Sequence, residues 1–279
     1  MYRPAGQFLL FGTLGFWIFY VILKENKNNE ALMAAAYISG AEVFYRMTGS
    51  MVFYETGKYS VILFLLIGMF FKGTSVKTVS YWFYLLILFP GVVVASFTLE
   101  YDVVFRKAVA FNLSGPVTLG VSALYCYYKK ITKTQFNYVL LMLLLPLIAN
   151  MIYLFLYTPS IGEALMSGTN SNYATSGGYG PNQISTVMGM GAIILFTRFF
   201  LIKNKTINFI DLGLLALMSY RAIITFSRGG VLTAVICIMA FVVVYFYKQD
   251  SKEQSKIVFK MGLFAVIGVI IWLFTAVKT

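Results

Sequence analysis

Two arginines seven residues apart, Arg221 and Arg228, flank the stretch Ala222-Ile-Ile-Thr-Phe-Ser227, and Arg228 opens on to Gly229-Gly230. They lie between two strongly apolar segments. Residues 207–220 carry one charge, Asp211, and residues 231–247 carry none. An arginine near hydrocarbon costs about 2.5–3.5 kcal/mol on insertion scales, so an ionisable group in such a place needs a functional reason. The guanidinium is a planar fork of donors suited to phosphate, and glycines let a ligand come close to backbone amides. If one helix runs through both arginines, seven residues are two turns, or about 10.5 Å on one face. Two side chains there can converge on one diphosphate. A nucleophilic role for Ser227 is disfavoured: the chain has no histidine to activate it, and no Gly-x-Ser-x-Gly elbow surrounds it. The missing histidine also removes the commonest general base and most zinc chemistry. No paired carboxylates for a metal stand out on the face that the topology below reads as outer, so neither a metal nor a cofactor is expected.

The residues that carry this turn are those of a membrane protein. The 279-residue chain is 59% hydrophobic and 11% charged, and apolar runs of the length needed to cross about 30 Å of hydrocarbon recur throughout. The pattern predicts an all-α polytopic bundle in one transmembrane domain over 1–279. Its ten spans fall near 7–23, 31–48, 60–71, 79–98, 108–128, 135–157, 183–200, 207–225, 230–247 and 257–277. The third is short and can extend back into the preceding loop. The short alternating segments of a porin-like barrel do not occur. The first run lacks a small-residue cleavage site and reads as a true span. Pro90, Pro116 and Pro146 fall inside spans and should kink them. Cys126 and Cys237 lie in apolar runs and read as buried thiols rather than a disulfide. A net charge of +12 without a basic stripe points away from nucleic acid and towards membrane topology.

The loops supply that topology. One alternating set holds Lys24, Lys27, Lys72, Lys77, Lys129, Lys130, Lys133, Arg198, Lys203, Lys205, Lys248, Lys252, Lys256 and Lys260. The other holds Arg3, Arg46, Lys58, Arg106, Lys107, Arg221, Arg228 and Lys278. The larger set is expected in the cytoplasm, with both ends of the chain outside. It is nearly all lysine, whereas the outer set has Arg46, Arg106, Arg221 and Arg228 next to or within spans, so the outer face reads as an anion site. The longest outer loop, about 158–180, is rich in glycine and small polar residues. It ends in Gly180-Pro181-Asn182-Gln183, with Pro181 in the first turn of the next span. That helix N-terminus is either an outward phosphate site or a plain cap. Other charges have bland readings beside functional ones. Glu42 and Arg46, four apart, either neutralise each other or set Arg46 towards an outer cavity. Arg106 and Lys107 follow Glu100 and Asp102 as a solvated cluster or as substrate contacts. Glu55 and Lys58 read as an interfacial loop, and Asp211 as a first-turn helix charge.

Thr225-Phe-Ser-Arg-Gly-Gly230, two spans after Gly180-Pro-Asn-Gln183, resembles the O-antigen ligase and polymerase family of bacterial envelope enzymes. The second match is partial, with Gly180 where the family often has Asn. The resemblance implies a multi-pass protein of the bacterial cytoplasmic membrane. Its implied reaction is metal-independent glycosyl transfer on the outer leaflet, polymerase in preference to ligase. The donor it implies is a glycan on a polyprenyl diphosphate, and the acceptor is a sugar hydroxyl of another glycan or of lipid A core. Arg228 and Arg221 then act on the leaving diphosphate, and Arg46, Arg106, Ser227, Gly229, Pro181 and Asn182 contribute to substrate binding. Besides these substrates, only membrane lipids are expected as partners. The family's large outer loop and further spans have no counterpart before Thr279, so the chain is expected to be an N-terminal piece. A carrier or flippase for an anionic lipid-linked saccharide would use the same arginines without reaction, and a purely structural subunit would leave them unexplained.

Overall fold

The structure, a computed structural model, describes residues 3–99, 103–158 and 173–276. Ten α-helices follow in chain order among them. They are α1 (Arg3–Leu23), α2 (Glu30–Met47), α3 (Thr56–Lys72), α4 (Val79–Thr98), α5 (Phe105–Cys126), α6 (Lys133–Tyr157), α7 (Pro181–Leu201), α8 (Lys205–Ile224), α9 (Arg228–Tyr247) and α10 (Ser251–Ala276). Short 3-10 turns at Val76–Thr78 and Ala174–Ser176 precede α4 and α7. Each expected span coincides with a helix, and the third begins at Thr56, reaching back into the loop before it. Seven of the helices are long and apolar enough to cross a membrane: α1, α4, α5, α6, α7, α8 and α9. The others are shorter or more charged. α3 has 17 residues, α2 carries Glu30, Glu42 and Arg46, and α10 opens with Lys252, Glu253, Lys256 and Lys260. α4 is the plainest membrane element, a 20-residue apolar helix with no buried residue. In water such a surface would be an aggregation patch; in lipid it is ordinary.

The chain forms two compact units, Met1–Pro146 and Leu147–Thr279. In the first, α1, α2, α3 and α5 enclose a core of Trp17, Val21, Ala34, Ile38, Phe64, Leu65, Val121 and Tyr125. Asn26, fully buried in the loop after α1, ties this core at one end. Its amide nitrogen donates to the Gly68 carbonyl (3.1 Å) and to the Tyr125 hydroxyl (3.0 Å), and its oxygen accepts from the Ala31 amide (3.0 Å). α2 and α6 touch closely at Gly40, where a Cβ would lie 2.4 Å from the Leu143 carbonyl oxygen and 2.8 Å from the Pro146 ring. Pro90, Pro116 and Pro146 all sit inside continuous helices. In the second unit, α7 is packed by both α8 and α9, and among the candidate spans it is the most buried. Cys126 and Cys237 are free and exposed. The expectation of buried thiols is therefore corrected: both lie on outward faces of their helices, where a thiol behaves as a small apolar group.

Candidate functional site

The sequence Arg221-Ala-Ile-Ile-Thr-Phe-Ser-Arg228 does not form one helix. α8 ends at Ile224, Phe226 adopts a left-handed backbone with φ 53°, and α9 begins at Arg228. Thr225, 1% exposed, fills the break. Its hydroxyl donates to the Ala222 carbonyl (2.7 Å) and accepts from the Ser227 amide (3.3 Å). Polar residues that bond locally to the backbone compete with helix continuation, which accounts for the stop here. The two-turn, one-face geometry expected for Arg221 and Arg228 is thus corrected. Arg221 is 6% exposed and its Nη2 donates to the Leu154 carbonyl in the last turn of α6 (2.8 Å). Its guanidinium lies 4.2 Å from the centre of the Phe155 ring. Thr158 also bonds the Leu154 oxygen through its amide and its hydroxyl. Arg221 is therefore a cation set on the carbonyl end of α6, where the helix dipole and free carbonyls favour it.

Arg228 is exposed and, among the described residues, makes no hydrogen bond or ion pair. It stands at the first position of α9, next to residues that draw the two candidate turns together. The Ser227 hydroxyl donates to Asn182 Oδ1 (2.6 Å), and the Ser185 hydroxyl donates to the Ser227 carbonyl (3.0 Å). Gly230 permits this approach, since a Cβ there would lie 2.4–2.5 Å from Ser185 Oγ, Ser185 C and the Thr186 amide nitrogen. At Gly189, one turn further along α7, a Cβ would lie 3.0 Å from the Gly230 carbonyl oxygen and 3.1 Å from the Ala234 Cβ. Small residues in register bring the two backbones together, the usual device of packed membrane helices. Gly229 has the opposite setting. A Cβ there would meet nothing within 4 Å.

The consequence is a pair of helix N-termini, those of α7 and α9, at one end of the second unit. Neither is capped by the side chain before it: Gly180 has none, and Ser227 turns its hydroxyl to Asn182. The first-turn amides of such helices have no partner within the helix, and both dipoles present their positive ends together. With the exposed Arg228 cation, the arrangement suits an anion. Pro181, Asn182, Ser227, Arg228 and Gly229 are thus brought into one place. The Ser185 and Thr225 contributions were not foreseen, though Ser185 lies one helical turn from Asn182, a spacing that puts both on one side of α7.

Arg46 and Arg106 belong to the first unit. Arg46 pairs with Glu42, donates through Nη2 to the Tyr54 carbonyl (2.8 Å) and stacks 3.8 Å over the Tyr54 ring. Of its two sequence readings, the internally neutralised pair is the one observed, fastening the end of α2 to the loop before α3. Arg106, exposed, lines a cleft of about 850 Å³ with Tyr54, Glu55, Tyr59, Lys107 and Phe111. Glu100 and Asp102, and residues 159–172 of the glycine-rich loop, lie outside the described residues. Asp211 departs from its expected role. It is 3% exposed in the second turn of α8 and pairs with Arg198 Nε of α7 at 3.1 Å. No group of three or more His, Cys, Asp or Glu side chains able to hold a metal occurs among the described residues.

Fold and site define a multi-pass helical membrane protein with paired, uncapped helix N-termini beside an exposed arginine. Compared with protein-family models, curated proteins and solved structures, the chain has no match.

Proposed function

We propose that the chain is a glycosyltransferase that binds the diphosphate of a polyprenyl-linked glycan at the α7 and α9 N-termini, on the outer face of the cytoplasmic membrane. The observation that carries this reading is the Ser227 to Asn182 hydrogen bond. It joins the two turns and turns the Ser227 hydroxyl away from its own helix, so that neither N-terminus beside Arg228 has a side-chain cap. The lysine bias of the alternate loops supports placing this end outside. In the reaction, an acceptor sugar hydroxyl attacks the anomeric carbon, the bond to the diphosphate breaks with its electron pair going to the diphosphate, and the hydroxyl proton passes to the departing diphosphate. Arg228 and the two helix ends would stabilise the charge that develops there, a role fixed dipoles and cations fill well where water is scarce. Arg221 serves by holding α6 in place and does not touch the anion.

The test is the Arg228→Lys variant, which keeps the charge and loses the two-pronged geometry. Purified parent and variant are titrated with a polyprenyl-diphosphate disaccharide, then incubated with donor and acceptor saccharide while released polyprenyl diphosphate is measured. The variant should bind at least about tenfold more weakly, about 1.4 kcal/mol, with an unchanged melting temperature because Arg228 has no partner among the described residues to lose. Parental affinity in the variant would remove the anion site. Tight binding by the parent with transbilayer movement and no released diphosphate would identify a carrier.

A further inference from the structure

A cavity in the first unit lies far in sequence from the turn just described, and its interpretation is independent of the proposed function. It is a groove of about 1160 Å³ between α1, the start of α2 and the first half of α6. Its long wall is apolar and aromatic, with Phe8, Phe16, Trp17, Met33 and Met142. Its other end is polar, formed by Asn28, Glu30, Thr132, Thr134 and Gln135. The loops there are tied together. Asn29 Nδ2 donates to Gln135 Oε1 (3.4 Å), and Lys72 Nζ donates to the Lys27 carbonyl (2.8 Å).

Glu30 is the anomaly at that end. It is 2% exposed and lines the groove, and both its hydrogen-bond donors come from Asn28, the backbone amide at 2.9 Å and Nδ2 at 3.2 Å. Two lysines come to the same loops: Lys72, whose Nζ lies 3.4 Å from Asn29 Oδ1, and Lys129, close enough to Lys72 to feel its charge. Burial and the nearby Lys72 charge hold the Lys129 ammonium down at about 8. Yet Lys27 pairs with Glu25 (2.7 Å), and no cation of the described residues lies within ion-pair distance of Glu30. Buried carboxylates are costly unless paired, and two hydrogen bonds leave about half of the acceptor sites of a carboxylate free. A cation entering from the groove would complete the set of donors to Glu30. Its tail must be apolar to match the aromatic wall, and the lysines of the rim call for a phosphate beside the cation.

We propose that the groove binds one aminophospholipid, with its ammonium on Glu30, its phosphate among the rim lysines and its acyl chains along Phe8, Phe16 and Trp17. A primary ammonium donates hydrogen bonds to the carboxylate; the quaternary ammonium of a choline lipid has no N–H to donate.

Trp17 reports on occupancy. In a background with Trp82→Phe and Trp272→Phe, the full chain is reconstituted into phosphatidylcholine vesicles containing increasing fractions of lipid brominated on its acyl chains, which quenches tryptophan on contact. Brominated phosphatidylethanolamine should half-quench Trp17 at about one-tenth the mole fraction needed for brominated phosphatidylcholine, a difference of about 1.4 kcal/mol. Glu30→Gln should abolish that preference. Gly12→Leu guards against a folding artefact. Gly12 lines the groove, and a Cβ there meets nothing within 4 Å, so leucine fills the groove without displacing protein atoms and should remove the phosphatidylethanolamine-specific quenching. Equal quenching by the two lipids in the parent overturns the proposal. So does a preference that survives both Glu30→Gln and Gly12→Leu. Stronger quenching by brominated phosphatidylglycerol than by phosphatidylethanolamine overturns the amine assignment in favour of an anionic lipid.

Discussion

Ser227 directs its hydroxyl to Asn182 rather than to its own helix, and the glycines that follow divide the work of the turn. Gly230 is a packing residue, because any side chain there would collide with the Ser185 and Thr186 backbone. Gly229 faces open space, where a glycine has no packing reason to be. Its open approach is what a ligand needs in order to reach first-turn amides. The two substitutions to alanine should therefore separate. Gly230→Ala should destabilise by about 1–3 kcal/mol, as overpacking does, and lower the melting temperature in detergent. Gly229→Ala should leave the melting temperature level or raise it slightly, since alanine is the better helix former by up to about 1 kcal/mol, while weakening binding of the polyprenyl-diphosphate disaccharide. Unchanged binding by Gly229→Ala would mean that the anion does not approach the backbone there. The reverse pattern, with Gly229→Ala the unstable protein, would contradict the α7–α9 packing.

At the scale of elements, the buried ions act as fasteners between helices. Arg221 sits on the carbonyl end of α6, and Arg198 and Asp211 cross-link α7 to α8. Removing one partner of a buried pair leaves an uncompensated charge and typically costs about 3–5 kcal/mol, whereas replacing both by apolar residues can be close to neutral. Arg198→Leu and Asp211→Leu should each lower the melting temperature sharply, and the double variant should recover most of the loss. Equal losses in all three would show that the pair is exposed to water. The helices themselves were legible in the sequence because apolar runs of spanning length have few alternatives in a membrane. The ends of most fell within a few residues. What the sequence left hidden was the pairing of distant side chains. Arg198, in the last turn of α7, and Asp211, in the second turn of α8, flank the connection at 202–204, so a hairpin register would have brought them near each other, but a lone aspartate reads equally well as a first-turn charge. The spacing of Arg221 and Arg228 misled for a related reason. Thr225 and Ser227 can end a helix by bonding to the backbone, and hydrophobic periodicity carries no sign of that. Ser227 and Asn182, the contact on which the candidate site rests, were each singled out by their turns, although their 2.6 Å bond is a tertiary fact.

For the molecule as a whole, the decisive question is which side of the membrane each end of the helices faces. In the second unit, the Arg221 bond to Leu154 and the Ser227 bond to Asn182 gather the end of α6, the start of α7, the end of α8 and the start of α9 at one level. α6 is a continuous helix of 25 residues, about 37 Å long at 1.5 Å per residue. That exceeds the roughly 30 Å hydrocarbon core, so the loop before α6 and the residues around Ala174 should lie on opposite sides. The lysine bias predicts Lys130 inside and Ala174 outside. Lys130→Cys and Ala174→Cys, each made with Cys126 and Cys237 replaced by serine because both native thiols are exposed, are treated in intact cells with an impermeant maleimide. Cysteine at 174 should label before lysis, and cysteine at 130 only after it. Labelling of both in intact cells would mean that α6 does not span. Labelling of position 130 alone would invert the topology and put the α7 and α9 N-termini in the cytoplasm. An anion site there would meet soluble phosphates in place of an outward-facing lipid-linked glycan.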